Sequence, residues 1–304
     1  MAAPPRASPP AARPRVPAVT VPVAATIALL LSAAAGLPLG SPVALVAGCA
    51  AILIFGLPHG ALDIELIRLE SAGRHGFARI LVVYLAIAAA MALLWLLAPV
   101  AALATFIVVA IGHFAEDWTV LPSRFLAGGV AAALIAAPAL CHRAAVAAIF
   151  VALTGAPAAA HLADALLLTA PVALAVAAAS VAMLIVARRT AAAAAATASI
   201  AALVVLPPVV GFAVFFCLFH SPRHFVEAIH AVQRWRLARW LPIVGPVMAA
   251  ALAGVTMIYL RHVELAVPQR LTAATFMALA ILTVPHMLAP IVLRHRPPLA
   301  RTSR

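Results

Sequence analysis

The sequence predicts an all-α protein, a polytopic transmembrane helical bundle of about 8–10 spans. Its composition is the first reason: 66% of the 304 residues are hydrophobic and 9% are charged, whereas a soluble domain carries about 25% charged residues. The second reason is that apolar runs of about 20 residues, long enough to cross a bilayer as a helix, recur from end to end. Alternating segments of about ten residues, which are typical of a membrane β-barrel, are absent.

The predicted elements follow the apolar runs in order. Residues 1–16 are rich in Pro, Ala and Arg and predict a disordered basic tail. Residues 17–37 favour a retained first helix over a cleavable signal peptide, because the run exceeds the roughly 7–15 residues of a signal core. Residues 144–187 predict either two helices or one helix plus a broken hairpin. The other runs are 42–67, 77–98, 100–116, 125–141, 191–219, 242–260 and 270–293.

We expect one transmembrane catalytic domain over residues 17–293, followed by a basic tail over 294–304. The net charge of +12 comes from arginine, because the chain has no lysine. Arginines cluster between apolar runs and in both tails, where they set topology and meet anionic headgroups. Their distribution predicts that both termini are cytoplasmic, although Arg188 and Arg189 fit only one parsing of residues 144–187. No basic face with interleaved aromatic residues indicates nucleic-acid binding.

Five histidines lie within or at the ends of these apolar runs. Hydrocarbon cannot hydrogen-bond an imidazole, so each buried ring needs a partner. The predicted topology brings all five to a similar depth near the cytoplasmic leaflet, and a shared metal ion would partner several of them at once. These histidines are His59, His113, His220, His224 and His286.

Prolines accompany these histidines and predict local breaks in the helices. His220 and His224 share one face of a continuous helix, but Pro222 between them predicts either a kink or a new helix with Ser221 as its N-cap. A proline also directly precedes His59 and His286. Proline frees a backbone carbonyl within a helix, so these two rings either line a cavity or bond that carbonyl.

An aspartate follows two of the histidines at a spacing of four, namely Asp63 after His59 and Asp117 after His113. Each carboxylate could accept the ring N–H of its own histidine, which would fix the tautomer and leave the other nitrogen for a metal. The alternative is that both acids solvate helix ends at the membrane surface. Both hypotheses remain open from the sequence.

The set of motifs resembles the Brp/Blh family of membrane-bound β-carotene 15,15′-dioxygenases, which is known from bacteria and archaea that make retinal for microbial rhodopsins. The chain departs from that pattern at Ala115, where glycine is usual, and at Ile64, where a histidine is frequent. The resemblance rests on an ordered series of motifs across about 230 residues: Pro58-His59-Gly60-Ala61-Leu62-Asp63, His113-Phe114, His220-Ser221-Pro222-Arg223-His224 and Pro285-His286-Met287.

The resemblance implies a multi-pass protein of the cell inner (plasma) membrane that uses O2 to cleave the central 15,15′ double bond of β-carotene into two retinal molecules. It implies a microbial rhodopsin as the retinal acceptor, and membrane lipid rather than nucleic acid as the surroundings. It also implies an Fe(2+) centre whose ligands are His59, His113, His220 and His224. Beside these ligands, Asp63, Asp117 and His286 are candidates for positioning them, and whether His286 is a site residue or a packing residue stays open.

Two other functions also fit the residues. One is a different histidine-ligated membrane oxidoreductase that holds haem or two irons, although the closely spaced histidine boxes of a di-iron desaturase are missing and His220/His224 is the sole near pair. The other is an ion or proton transporter, which would also place His and Asp near broken helices. No convincing internal repeat supports a transporter.

Overall fold

The computed structural model describes residues 19–70, 73–232 and 237–294. Within these ranges, the side chains of residues 57–70, 73–75, 227–232, 237–244, 247 and 289–294 are not described. The predicted tails, 1–16 and 294–304, therefore lie outside the described residues except for the backbone of Arg294.

The described chain is all-helical, as the sequence predicts. A 3-10 turn, Glu116–Trp118, extends α4, and a π-helical turn, Phe216–His220, joins α8 to α9. The helices are α1 Thr20–Ala34, α2 Pro42–Glu70, α3 Gly73–Leu97, α4 Pro99–Ala115, α5 Arg124–Thr154, α6 Ala160–Val186, α7 Thr190–Val205, α8 Pro208–Phe215, α9 Ser221–Val232, α10 Leu237–Arg261 and α11 Val267–Arg294.

The protein has the helices of a multi-pass membrane protein. Among the described residues, six helices are long and apolar enough to cross a bilayer, and four shorter apolar helices accompany them. Large apolar side chains on their outer faces, such as Val43, Leu168 and Val186, are exposed. In a bilayer these side chains face lipid, so their exposure costs no hydrophobic free energy.

The ambiguous region 144–187 belongs to a helical hairpin. Helix α5 runs on past Pro138 to Thr154, with a kink at His142, where φ is −130° and ψ is 31°. Gly155 then ends the helix with a φ of 66°, a backbone conformation that glycine adopts without strain. Helix α6 packs back along α5, and a Cβ at Gly129 would lie 2.2 Å from Cγ1 of Val176, so this glycine allows the two backbones to approach closely.

The run 191–219 is two elements rather than one helix. Helix α7 ends at Val205. The next residue, Leu206, has an extended backbone with φ −83° and ψ 154°, because the following Pro207 disfavours the helical conformation before it. Helix α8 then folds back against α7, where a Cβ at Gly211 would meet the carbonyl oxygen of Ala202 at 2.8 Å. This break lets α8 carry the π-helical turn into the centre of the bundle.

One end of the bundle collects several arginines. A single cavity there touches the start of α1, the 3-10 turn after α4, the α6–α7 turn and the start of α9. Because α5 and α6 form a hairpin, Arg188 and Arg189 at the end of α6 lie at the same end of the bundle as Arg223. The prediction that both termini are cytoplasmic requires this arrangement of residues 144–187. Asp164, in an ion pair with Arg143, lies near the start of α6, about 36 Å from Arg188 at the helical rise per residue.

Candidate metal centre

His113 lies at the end of α4, where the helix tightens into the 3-10 turn. Its side chain is 3% exposed. A 3-10 helix advances about 120° per residue instead of about 100°, so the turn rotates the next residues away from the face of His113. Asp117 becomes buried at 6% exposure, whereas Glu116 stays 55% exposed.

Asp117 joins the end of α4 to α9. Its Oδ2 lies 2.7 Å from Nδ1 of His220, and its Oδ1 lies 3.0 Å from Nε2 of His224. Arg223 donates a hydrogen bond to the backbone carbonyl of Asp117. The hypothesis that Asp117 accepts the ring N–H of His113 is therefore wrong, because the 3-10 turn directs one carboxylate oxygen at His220 and the other at His224.

The π-helical turn and α9 form one continuous helical path. Ser221 has helical dihedrals, φ −60° and ψ −42°, so it is not an N-cap, and of the two expectations for Pro222 the new helix is wrong. A π-turn shifts the backbone hydrogen bonds by one residue, which accommodates the N–H that Pro222 lacks. The turn leaves His220 fully buried, with His224 one helical turn beyond it.

The ring planes of His113 and His220 are nearly perpendicular, at 80°, and their Nε2 atoms lie 3.0 Å apart. A carboxylate only accepts hydrogen bonds, so Asp117 places the proton of His220 on Nδ1 and leaves Nε2 as a lone pair. The Nε2 of His113 either donates a hydrogen bond to that lone pair or directs its own lone pair to the same point. The second arrangement needs a cation between the two rings.

His286 and Met287 reach the same point from α11. The ring centroids of His113 and His286 lie 5.2 Å apart, and Sδ of Met287 lies 2.9 Å from Nδ1 of His113. The structure thus brings together four of the five predicted histidines: His113, His220, His224 and His286. The role of Met287 was missed, and its place directly after His286 in the Pro-His-Met motif is the only sequence signal for it.

The side chains of His59 and Asp63 lie outside the described residues, although the backbone of α2 around them is described. The hydroxyl of Ser221 donates a 2.7 Å hydrogen bond to the carbonyl oxygen of Phe55, one turn before His59. A Cβ at Gly56 would lie 3.1 Å from the ring of Phe216. Helix α2 is thus held against the π-helical turn directly before the residue predicted as a ligand.

Two apolar cavities lie beside this cluster. The first, of about 30 Å³, has His113 and His286 on its wall and is otherwise lined mainly by apolar residues of α2 and α11 together with Phe216. The second, of about 100 Å³, is lined by apolar residues throughout and reaches Phe114 and Phe212. Phe212 stacks on Phe216 with ring centroids 5.5 Å apart, so this aromatic pair lies between the two cavities.

The donor atoms fit a metal ion. Asp117, His220 and His224 each offer one ligand atom, and these atoms lie within 4.8 Å of one another among the described residues. Imidazole and carboxylate are both ligands of first-row transition metals. Two nitrogens bound to one ion at about 2.1 Å and about 90° are about 3.0 Å apart, which matches the separation of the His113 and His220 Nε2 atoms.

A comparison with family models identifies the family of this chain. The model of the β-carotene 15,15′-dioxygenases matches residues 50–293. The chain belongs to this family. The match covers most of the chain, and the matched residues include every histidine of the cluster. Searches of curated proteins and of solved structures find no match.

The β-carotene 15,15′-dioxygenase family cleaves β-carotene to retinal and incorporates O2. The resemblance drawn from the motifs is thereby confirmed. The chain is an oxidoreductase rather than a transporter, and its substrates are β-carotene and O2. The buried Asp117 and His220 and the half-buried His224 form a group that could hold a metal ion.

Proposed function

We propose that the enzyme holds one non-haem Fe(2+) through the imidazoles of His59, His113, His220 and His224, and cleaves β-carotene at its central 15,15′ bond into two retinal molecules. The observation that carries the proposal is the meeting of the His113 and His220 Nε2 atoms at 3.0 Å beside the carboxylate of Asp117. Neutral imidazoles suit Fe(2+) and leave the ion its full charge. When bound, the iron supplies the activation of O2.

The protein residues around the ligands fix ring orientation and exclude water. Asp117 holds the proton of His220 on Nδ1 and contacts His224, so a single carboxylate orients two rings. We assign Asp117 this positioning role, and propose the same for Asp63 with His59. The ring of His286 is nearly perpendicular to that of His113, and both line the first cavity, so we place His286 beside the reacting part of the substrate.

The apolar cavities support a substrate that is wholly hydrocarbon. β-Carotene dissolves in the bilayer, so a site open between helices receives it without passage through water. The first cavity lies next to His113 and His286, and the second extends the apolar lining on the other side of the Phe212–Phe216 pair. An environment free of water also restricts side reactions of activated oxygen.

We further propose the cell inner (plasma) membrane as the location, one catalytic domain over residues 17–293, and a microbial rhodopsin as the acceptor of retinal. The arginine-rich end that includes Arg188, Arg189 and Arg223 would face the cytoplasm, where arginines between spans are in excess. The match over residues 50–293 supports a single domain. Co-expression with an opsin tests the acceptor, because transfer would give a purple or red pigment without added retinal.

The test of the activity is expression in a bacterium that accumulates β-carotene. We expect the orange colour to bleach and retinal to appear on chromatography, with two retinal molecules per β-carotene consumed. A longer apocarotenal as the main product would contradict central cleavage.

The test of the ligands is the separate replacement of His59, His113, His220 and His224 by alanine. Each change should abolish retinal formation and lower the iron bound to the purified protein. His161→Ala is the matched control, because His161 is 85% exposed on α6 away from the centre and should keep both iron and activity. Retention of iron and activity in all four variants would overturn the assignment.

Spectra of the purified enzyme separate the remaining metal alternatives. One iron per chain and no Soret band are expected of a mononuclear non-haem centre. A Soret band would identify haem, and two irons per chain would identify a di-iron centre.

A further inference from the structure

A cavity of about 510 Å³ lies at the arginine-rich end of the bundle, apart from the apolar cavities. Its walls come from the start of α1, the 3-10 turn after α4, the α6–α7 turn and the junction of the π-helical turn with α9. The α6–α7 turn contributes polar lining residues, Arg188, Arg189 and Thr190, which belong to what we call the polar side. Helix α8 and the π-helical turn contribute Phe215, Leu218 and Phe219, which form the apolar side. This division between a polar and an apolar side is the pattern that an amphipathic ligand requires.

The polar side carries an excess of positive charge. Arg188, Arg189 and Arg223 line it, and the one acidic side chain among the described lining residues is Asp117. The carboxylate of Asp117 already faces His220 and His224. Arg188 and Arg189 are exposed and form no ion pair with any residue whose side chain the structure describes, so their charge is available to a ligand.

The backbone adds to this charge. Helix α7 begins at Thr190 on the cavity wall, and no side chain caps its first turn among the described residues. The N–H groups that open a helix carry a partial positive charge and favour anions. The chain turns from α6 into α7 over a few residues, and Arg188 in this turn has a φ of 57°. Arg188 and Arg189 therefore lie directly before the N–H groups that open α7.

We propose that this cavity binds the headgroup of an anionic phospholipid, with its phosphate at Arg188, Arg189 and the start of α7 and an acyl chain along the apolar side. Charge complementarity selects an anion, and guanidinium forms paired hydrogen bonds with phosphate oxygens. The apolar side selects a lipid over a small soluble anion. Basic cavities between transmembrane helices at the cytoplasmic surface are suited to such headgroups.

The experiment measures lipid retention by native mass spectrometry of the full-length protein. The protein is offered phosphatidylglycerol, phosphatidylcholine or inorganic phosphate. We expect retention of phosphatidylglycerol in preference to phosphatidylcholine, and weaker retention as ionic strength rises. Equal retention of the two lipids, or binding of inorganic phosphate that displaces phosphatidylglycerol, would overturn the proposal.

Variants locate the site. The double change Arg188→Gln and Arg189→Gln should weaken phosphatidylglycerol binding about 30-fold, since each arginine contributes about fivefold near an anionic headgroup. Changing both to Lys should restore most of the binding, which a purely structural role of Arg would not predict. Arg261→Gln, an exposed arginine at the end of α10, is the matched control and should bind as the unaltered protein does.

The single variants Arg188→Gln and Arg189→Gln serve if the double variant does not fold, and each should weaken binding about fivefold. Unchanged phosphatidylglycerol binding in folded single variants would refute the site. β-Carotene turnover in detergent is measured alongside, so that loss of lipid binding is distinguished from loss of the metal centre.

Discussion

Replacing Asp117 by asparagine tests the central geometry most directly. The carboxylate accepts from two imidazoles, His220 at 2.7 Å and His224 at 3.0 Å, and is nearly fully buried. Asparagine has the same shape, but only one of its two polar atoms accepts a hydrogen bond while the other donates. One of the two histidines must therefore change tautomer or lose its partner.

The magnitude follows from the loss of one charge-assisted hydrogen bond in a buried site. Such a bond contributes about 1.5–3 kcal/mol, which is about 10- to 150-fold in an equilibrium constant. This agrees with the about 10- to 100-fold loss of metal affinity that follows removal of a residue that orients a metal ligand. We therefore expect Asp117→Asn to bind iron and form retinal, both weakened within this range.

The assay titrates iron into metal-free protein and measures retinal formation at each iron concentration. Asp164→Asn is the matched control, because Asp164 pairs with Arg143 on α5 away from the centre and should titrate as the unaltered protein does. Unchanged iron affinity in Asp117→Asn would refute the reasoning about tautomers. Complete loss of iron at every concentration would instead make Asp117 a ligand, in a two-histidine, one-carboxylate site.

Two further changes test the packing and the centre separately. Gly129→Ala should lower the free energy of unfolding by about 1–3 kcal/mol, because the added Cβ would meet Val176 at 2.2 Å. The control is Gly128→Ala, whose added Cβ meets nothing within 4 Å and should be neutral or slightly stabilising. Equal melting temperatures of the two variants would contradict the close α5–α6 contact. Met287→Leu keeps the side-chain volume but removes the sulfur beside His113. It should weaken iron binding about 2- to 10-fold with no change in melting temperature. Unchanged iron binding would mean that this contact does not orient His113.

The fold class could be predicted because the bilayer imposes it. An apolar run of about 20 residues without partners for its backbone must form a helix in hydrocarbon, so the runs predicted α2–α4, α10 and α11 closely. The run 125–141 predicted the start of α5 but not its continuation to Thr154. The sequence left region 144–187 undecided, and this ambiguity has a physical origin. Nearly uniform Ala, Val and Leu provide no periodicity to mark a face, and only the Gly155 cap and the packing of α6 on α5 separate the helices.

The sequence by itself determined that a membrane-embedded helical protein carries five histidines that need partners, and its motifs indicated the family. Tertiary structure decided which residues meet. A spacing of four suggested His113 with Asp117, but the 3-10 turn rotates Asp117 onto His220 and His224. Spacing along one helix predicts contacts only while the helix stays regular, and this protein places the centre where α4 tightens and the π-helical turn widens. The partners of Asp117 lie more than 100 residues away, at a separation that no local pattern encodes.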